Sequence, residues 1–151
     1  MQRILSVSQM RYADEYTIQN LGISQDELVV RAGTAVANQI KNKFLGGRVL
    51  VCVGKGNNGK DGLVVADILK KTHGYNVTVF DAQNDNIEVF DKIYDIIVDC
   101  IFGTGLNKVV EDKYEIIIQK INTSKAFIIS CDIPSGINGD NGCVMGIAVK
   151  A

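Results

Sequence analysis

The stretch Val49 to Leu69 reads VLVCVGKGNNGKDGLVVADIL, and its reading decides the fold. Val49, Leu50, Val51, Cys52 and Val53 form an apolar run whose β-branched content predicts a buried strand. Gly54 to Gly62 follows as a turn carrying four glycines. From Leu63 the spacing becomes helical, with Val64, Val65, Ile68 and Leu69 on one face. Asp61 falls where a helix start favours an acid. Lys70, Lys71 and His73 fall where a helix end favours cations, just before Gly74. The stretch therefore reads as strand, glycine-rich loop, helix. Such a loop can bring bare backbone N–H groups to an anion at the positive end of the helix. Gly54, Gly56 and Gly59 fit G-x-G-x-x-G spacing, but two Asn fill the gap and Asp61 follows. No G-K-[S/T] closes a Walker loop. Taken alone, the loop leaves a plain structural turn open.

The chain of 151 residues is about one domain long, with 46% apolar residues and a formal net charge of −1. That balance argues against a nucleic-acid surface held by general electrostatics. No apolar run reaches membrane-spanning length, and the opening MQRILSVSQM lacks a signal-peptide core. Cys52, Cys100, Cys131 and Cys143 form no C-x-x-C pair, and three of them fall in predicted strands. They read as reduced thiols in a cytoplasmic protein.

Ser6 with Gln9, and Ser24 with Glu27, have capping-box spacing. They predict a first helix over about 8–20 and a second with Val29, Ala32, Val36 and Ile40 on its inner face. Gly46-Gly47 ends the second helix. Asn76 to Asp81 alternates as a short strand, and a short helix near 87–92 fills the brief crossover to the next. Asp95 to Phe102 and Ala126 to Ile133 read as buried strands around a helix over 111–122, whose stripe is Tyr114, Ile117, Ile118 and Ile121. The fold class expected is α/β, a Rossmann-like three-layer αβα sandwich with a mainly parallel sheet.

In such sheets ligands sit beyond the carboxyl ends of the strands. Three strands here end in glycine-bearing polar turns: GKGNNGKDG, GTG and DIPSG. One sheet edge is therefore expected to gather Asn57, Asn58, Asp61, Asp99, Thr104, Asp132 and Ser135. His73, the only histidine, reads as a helix-terminal cation rather than a general base.

The motifs GNNGKDG (56–62), DCIFGTGL (99–106) and DIPSGINGDNG (132–142), in that order, resemble the YjeF N-terminal domain family, the NAD(P)HX epimerases. The segments SQMRYADEYTIQNLGI (8–23) and LVVRAG (28–33) match the family's start, so the likeness covers nearly the whole chain. The resemblance implies interconversion of the R and S forms of hydrated NADH and NADPH (NADHX and NADPHX), a metabolite-repair step. It implies a potassium ion as cofactor, held by Asn58, Asp99 and Ser135, oxygen donors suited to a hard cation. It implies dinucleotide contacts from Asn57, Asn58, Gly59, Lys60 and Asp61, and from Gly103, Thr104, Gly105, Leu106, Asn107, Lys108 and Val109. Asp132 would face the hydrated nicotinamide and act as acid and then base. The implied partner is the small-molecule substrate, with no nucleic acid and no membrane, and a homodimer is left open.

Lys60 stands where the family loop usually has glycine, Val30 where its helix usually has an acid, and the crossover after Asp81 is short. The family domain continues past the position of Ala151, so residues 1–151 are expected to form a domain incomplete at its C-terminus. The apolar segment 145–151 is then expected to be an exposed sheet-edge liability that promotes self-association. Two other readings stand beside the epimerase. One is a non-catalytic binding or scaffold module, or an inactive fragment, of the same fold. The other is a nicotinamide dehydrogenase using Asp81 as its ribose-binding acid.

Overall fold

A computed structural model describes residues 5–151; residues 1–4 of the MQRILSVSQM opening lie outside the described part. The elements are α1 (Val7–Leu21), α2 (Gln25–Lys43), β1 (Gly47–Val53), α3 (Asn57–Lys70), β2 (Tyr75–Asp81), a 3-10 turn (Ile87–Asp91), β3 (Ile96–Cys100), α4 (Asp112–Thr123) and β4 (Phe127–Ser130). The four strands form one parallel sheet in the order β2-β1-β3-β4. Helices cover both faces, because β1 and β3 are apolar on both sides. Val49, Val51 and Val53 join Ile96 and Val98 against α2 and α3. Leu50, Cys52 and Ile97 meet α4 through Ile117, Ile118 and Ile121 on the other face. The expected αβα sandwich is present.

Three local expectations change. The glycine loop is mostly helix: α3 begins at Asn57, so Asp61 lies in its second turn rather than at its start. Asn and Gly are weak helix formers, which is why sequence pattern reads them as a turn. Tertiary packing overrides the propensity, since a Cβ on Gly59 would overlap the Gly54 carbonyl oxygen. In α2 the buried residues are Gly33, Ala37 and Ile40, while Ala32 is exposed. Val36 and Ile40 face the core as expected, and the face widens toward Gly33 and Ala37 because Gly33 makes the close crossing with α3; its Cβ would stand 2.7 Å from the Asp61 carbonyl. Strands β3 and β4 are shorter than the apolar runs, and Cys131 lies just beyond β4.

The caps divide. Ser6 and Gln9 form the reciprocal box, whereas Ser24 accepts from the Glu27 N–H without the return bond.

The expectation of an exposed sheet edge at the C-terminus is corrected. Residues 145–151 do not form an exposed edge strand. Val149 is 4% exposed and belongs to the α4-side core. The segment's backbone is tied down on both sides: the Met145 N–H donates to Gly136 O and the Val149 N–H to Ser135 O, both at 2.8 Å. Asn122 Nδ2 donates to Ala148 O at 2.9 Å and Asn122 Oδ1 accepts from the Lys150 N–H at 2.8 Å. Val149 is thus docked in the core, while Met145, Ile147 and Ala148 are half-buried and Lys150 and Ala151 exposed.

Candidate active site at the β1/β3 switch

The strand order reverses between β1, which leads to β2 on one side, and β3 on the other. The crevice beyond the carboxyl ends of these two strands is the favoured ligand position in a doubly wound sheet. The β1 corner supplies the α3 N-terminus, whose N-cap Gly56 makes no side-chain capping bond, leaving first-turn N–H groups open. Asn58, in that turn, is buried, and its Nδ2 donates to Phe102 O at 2.8 Å. Its Oδ1 is buried with no hydrogen-bond partner among the described residues.

The β3 corner supplies Asp99, which is fully buried. Its Oδ1 accepts from Ser135 Oγ at 2.5 Å and the Ile101 N–H at 3.3 Å. Its Oδ2 accepts from the Ser135 N–H at 2.8 Å and Ser130 Oγ at 2.9 Å. Burial pushes this carboxyl above its ordinary value, against the hydrogen bonds from Ser135, Ser130 and Ile101. Ser135 Oγ also accepts from the Phe102 N–H at 2.8 Å. Phe102 therefore ties Asn58 to the Ser135–Asp99 pair through its own backbone.

The β4 corner supplies Asp132, which is exposed and accepts from the Thr104 N–H on Oδ2 at 2.8 Å. Gly103 permits this approach, because a Cβ there would overlap Asp132 Oδ2 and stand 3.4 Å from Asn58 Cβ. Asn58, Asp99, Asp132 and Ser135 thus meet at one corner, as the sheet-edge argument requires. Asn57, Lys60, Gly105, Asn107, Lys108 and Val109 are exposed, Gly59 is buried, and Leu106 is half-buried, its N–H bonding Gly103 O at 3.1 Å. His73 lies beyond the far end of α3. Asp81 caps its own turn, accepting from the Gln83 N–H and Asn84 Nδ2, both at 2.8 Å.

One feature was not legible in the sequence. Asp61 lies close enough to Asp132 for their charges to interact. Its carboxyl is pushed from the ordinary 3.8 to about 6, by burial first and by the Asp132 charge second. A carboxyl raised on folding binds more protons folded than unfolded between about pH 4 and 6. Stability is therefore lost as pH rises through that window and stays lower above it. Asp61→Asn should raise stability at pH 7.5 by about 1 kcal/mol after discounting for solvent screening, or ~2–4 °C in Tm. The gain should fade toward pH 4. Melting curves of both proteins across pH 4–8 check this, and a pH-independent difference would contradict it.

A parallel doubly wound sheet with a polar, carboxylate-bearing corner at its switch point defines an α/β protein of the small-ligand-binding kind. The family model described as "YjeF-related protein N-terminus" matches residues 25–92 and 81–151. The chain belongs to that family. It is 38% identical to the NAD(P)H-hydrate epimerase of Lentilactobacillus buchneri, with 100% of this chain and 81% of that protein covered. It is 33% identical to the protein of the same name from Limosilactobacillus fermentum, covering 99% and 83%. The bifunctional NAD(P)H-hydrate repair enzyme Nnr of Thermofilum pendens is 32% identical over 99% of this chain but only 34% of its own length. The crystal structure of yeast ynu0 shares the fold, with a TM-score of 0.83 at 24% identity, covering 98% of this chain and 77% of that one. The two family matches meet at 81–92, where a 3-10 turn makes the crossover. The alignment to the L. buchneri protein spans 175 positions against 151 residues here, so the relative carries segments that this chain lacks.

Proposed function

We propose that this chain interconverts the R and S forms of hydrated NADH and NADPH, as an NAD(P)H-hydrate epimerase. The observation that carries the reading is the meeting of Asn58, Asp99, Asp132 and Ser135 around the Phe102–Thr104 backbone. The names of the relatives give its substrate. The scaffold reading has no observation of its own in its favour. The dehydrogenase reading has no relative of that name among those described above, which are NAD(P)H-hydrate epimerases and a bifunctional NAD(P)H-hydrate repair enzyme.

The hydrated ring carries a hydroxyl on the carbon beside the ring nitrogen. Asp132 gives that hydroxyl a proton. The C–O bond breaks, water leaves, and the nitrogen lone pair forms a planar iminium. Water then adds to the opposite face and returns its proton to Asp132. Asp132 is open to the crevice, and the Thr104 N–H fixes one of its oxygens. The exposed α3 N-terminus binds the phosphates.

The donor set also fits potassium. Asn58 Oδ1 is a buried, unpartnered carbonyl oxygen, and Ser135 Oγ and the Asp99 carboxylate stand beyond Phe102 on the same corner. Oxygen donors with one negative charge suit a large hard cation. The ion, when bound, supplies positive charge that keeps Asp99 ionised and helps hold the nucleotide. Asp99 would join it by loosening the long bond from the Ile101 N–H. The four free thiols accord with a cytoplasmic setting. Among the described residues no helix is long and apolar enough to cross a membrane.

Chromatography of the separated R and S hydrates, incubated with the protein, tests the activity directly; absence of interconversion would refute it. Replacing sodium by potassium at 100 times its dissociation constant should add about 2.7 kcal/mol of stability. An identical Tm in both salts would remove the ion from the site.

A further inference from the structure

Beside the Asp132 corner lies an open cleft of about 410 Å³, lined on the corner side by Thr104 to Asn107 and beyond it by α1, Asn138 and Asp140, to which no part of the ligand has been assigned. Arg11, Tyr12 and Glu15 of α1 form one wall, and Asn107, Asn138 and Asp140 form the other. Thr104 joins the cleft to the corner. Its N–H donates to Asp132, while its side chain lies against Gly139, where a Cβ would stand 3.3 Å from Thr104 Cγ2 and 2.8 Å from Val7 Cγ2. The first turn of α1 is anchored here, the Val7 N–H donating to Asp140 Oδ1 at 2.9 Å. Val7 is the only buried residue of this 15-residue helix, so core packing does not account for its placement. Tyr12 is 69% exposed, and neither its hydroxyl nor the Arg11 guanidinium bonds to another described residue.

We propose that this cleft receives the adenosine half of the dinucleotide; the inference rests on the epimerase reading of the Asp132 corner. The reacting ring sits at Asp132, the chain of the ligand passes over the Thr104 backbone, and the purine lies on α1. The Tyr12 ring and the planar Arg11 guanidinium offer flat faces for a base. Glu15 and the free oxygen of Asp140 accept hydrogen bonds from ribose hydroxyls or the purine amine. Two carboxylates against one guanidinium favour a neutral, hydroxyl-rich nucleoside over a phosphate. The volume falls among ordinary small-molecule sites, which run about 300–1,000 Å³.

Titration calorimetry with NAD+ and with nicotinamide mononucleotide, on the wild-type chain and on Tyr12→Ala, decides it. NAD+ should bind the variant roughly tenfold more weakly, the loss expected when a base loses its aromatic platform. The mononucleotide should bind both proteins alike, and Tm should not change, because Tyr12 is exposed. Unchanged NAD+ affinity, equal weakening of both ligands, or wild-type affinity for NAD+ no better than for the mononucleotide would each overturn the adenosine cleft while leaving the Asp132 corner standing. A wild-type chain that binds neither nucleotide would overturn the cleft, while chromatography of the hydrates decides the epimerase reading separately.

Discussion

Asp132→Asn is expected to lower epimerisation by about 10²–10⁴-fold, the range that a positioned acid–base group contributes. The amide oxygen can still accept from the Thr104 N–H, so the corner keeps its shape. Binding of NAD+ should change little, since the proposed phosphate contacts lie at the α3 N-terminus. The substitution also removes the second cause of the Asp61 shift, so that carboxyl should drop below about 6. Kinetics on the separated hydrates and calorimetry with NAD+ together make the test. Full activity in the Asn variant would exclude Asp132 as the proton carrier. Loss of binding in parallel with loss of activity would make Asp132 a ligand contact instead.

How much of this corner could be read in advance depends on the kind of signal. The strands were legible because Val49 to Val53 and Ile96 to Cys100 are apolar without alternation, which only a sheet covered on both faces tolerates. Once the strands are placed, topology alone carries their carboxyl ends to one edge. Asn58, Asp99 and Asp132 therefore converge without any side-chain detail. The α3 start was not legible, because its glycines are chosen for contact with the Gly54 backbone and not for helix propensity. The inner face of α2 holds Val36 and Ile40 as expected but takes in Gly33 and Ala37 instead of Ala32, Gly33 having no apolar side chain to reveal that it is the crossing point. The Asp61–Asp132 pairing joins residues from two different corners, and no local pattern encodes such a distance. The docked C-terminal segment likewise depends on bonds to Ser135, Gly136 and Asn122 that no periodicity announces.

Asp99→Ala should cost about 3–5 kcal/mol of stability, on the order of 10 °C in Tm, a large effect for a residue that touches no solvent. The carboxylate is the common acceptor for Ser135 Oγ, the Ser135 N–H, Ser130 Oγ and the Ile101 N–H. Truncation leaves the Ser135 and Ile101 N–H groups and Ser130 Oγ without their acceptor in a space that is closed to water, Ser135 Oγ keeping only Phe102 O at 3.1 Å, and each orphaned group costs more than an average hydrogen bond gains. Asp99→Asn should fall between the two, because a serine hydroxyl can turn to accept from the new amide while the Ser135 N–H cannot. Ordinary surface effects would predict no such ordering, so melting curves of the three proteins separate the accounts. A Tm for the Ala variant within ~2 °C of the wild type would mean that the network does not hold the corner. The same bonds carry the functional geometry: Ser135 fixes the Phe102 backbone, Phe102 O fixes Asn58, and the next residues place Thr104 against Asp132. If the proposed potassium site is held by this network, the Ala variant should show no Tm gain on exchanging sodium for potassium. Stability and chemistry would fail together at Asp99, whereas at Asp132 only the chemistry would fail. That contrast distinguishes a residue that builds the corner from one that works in it.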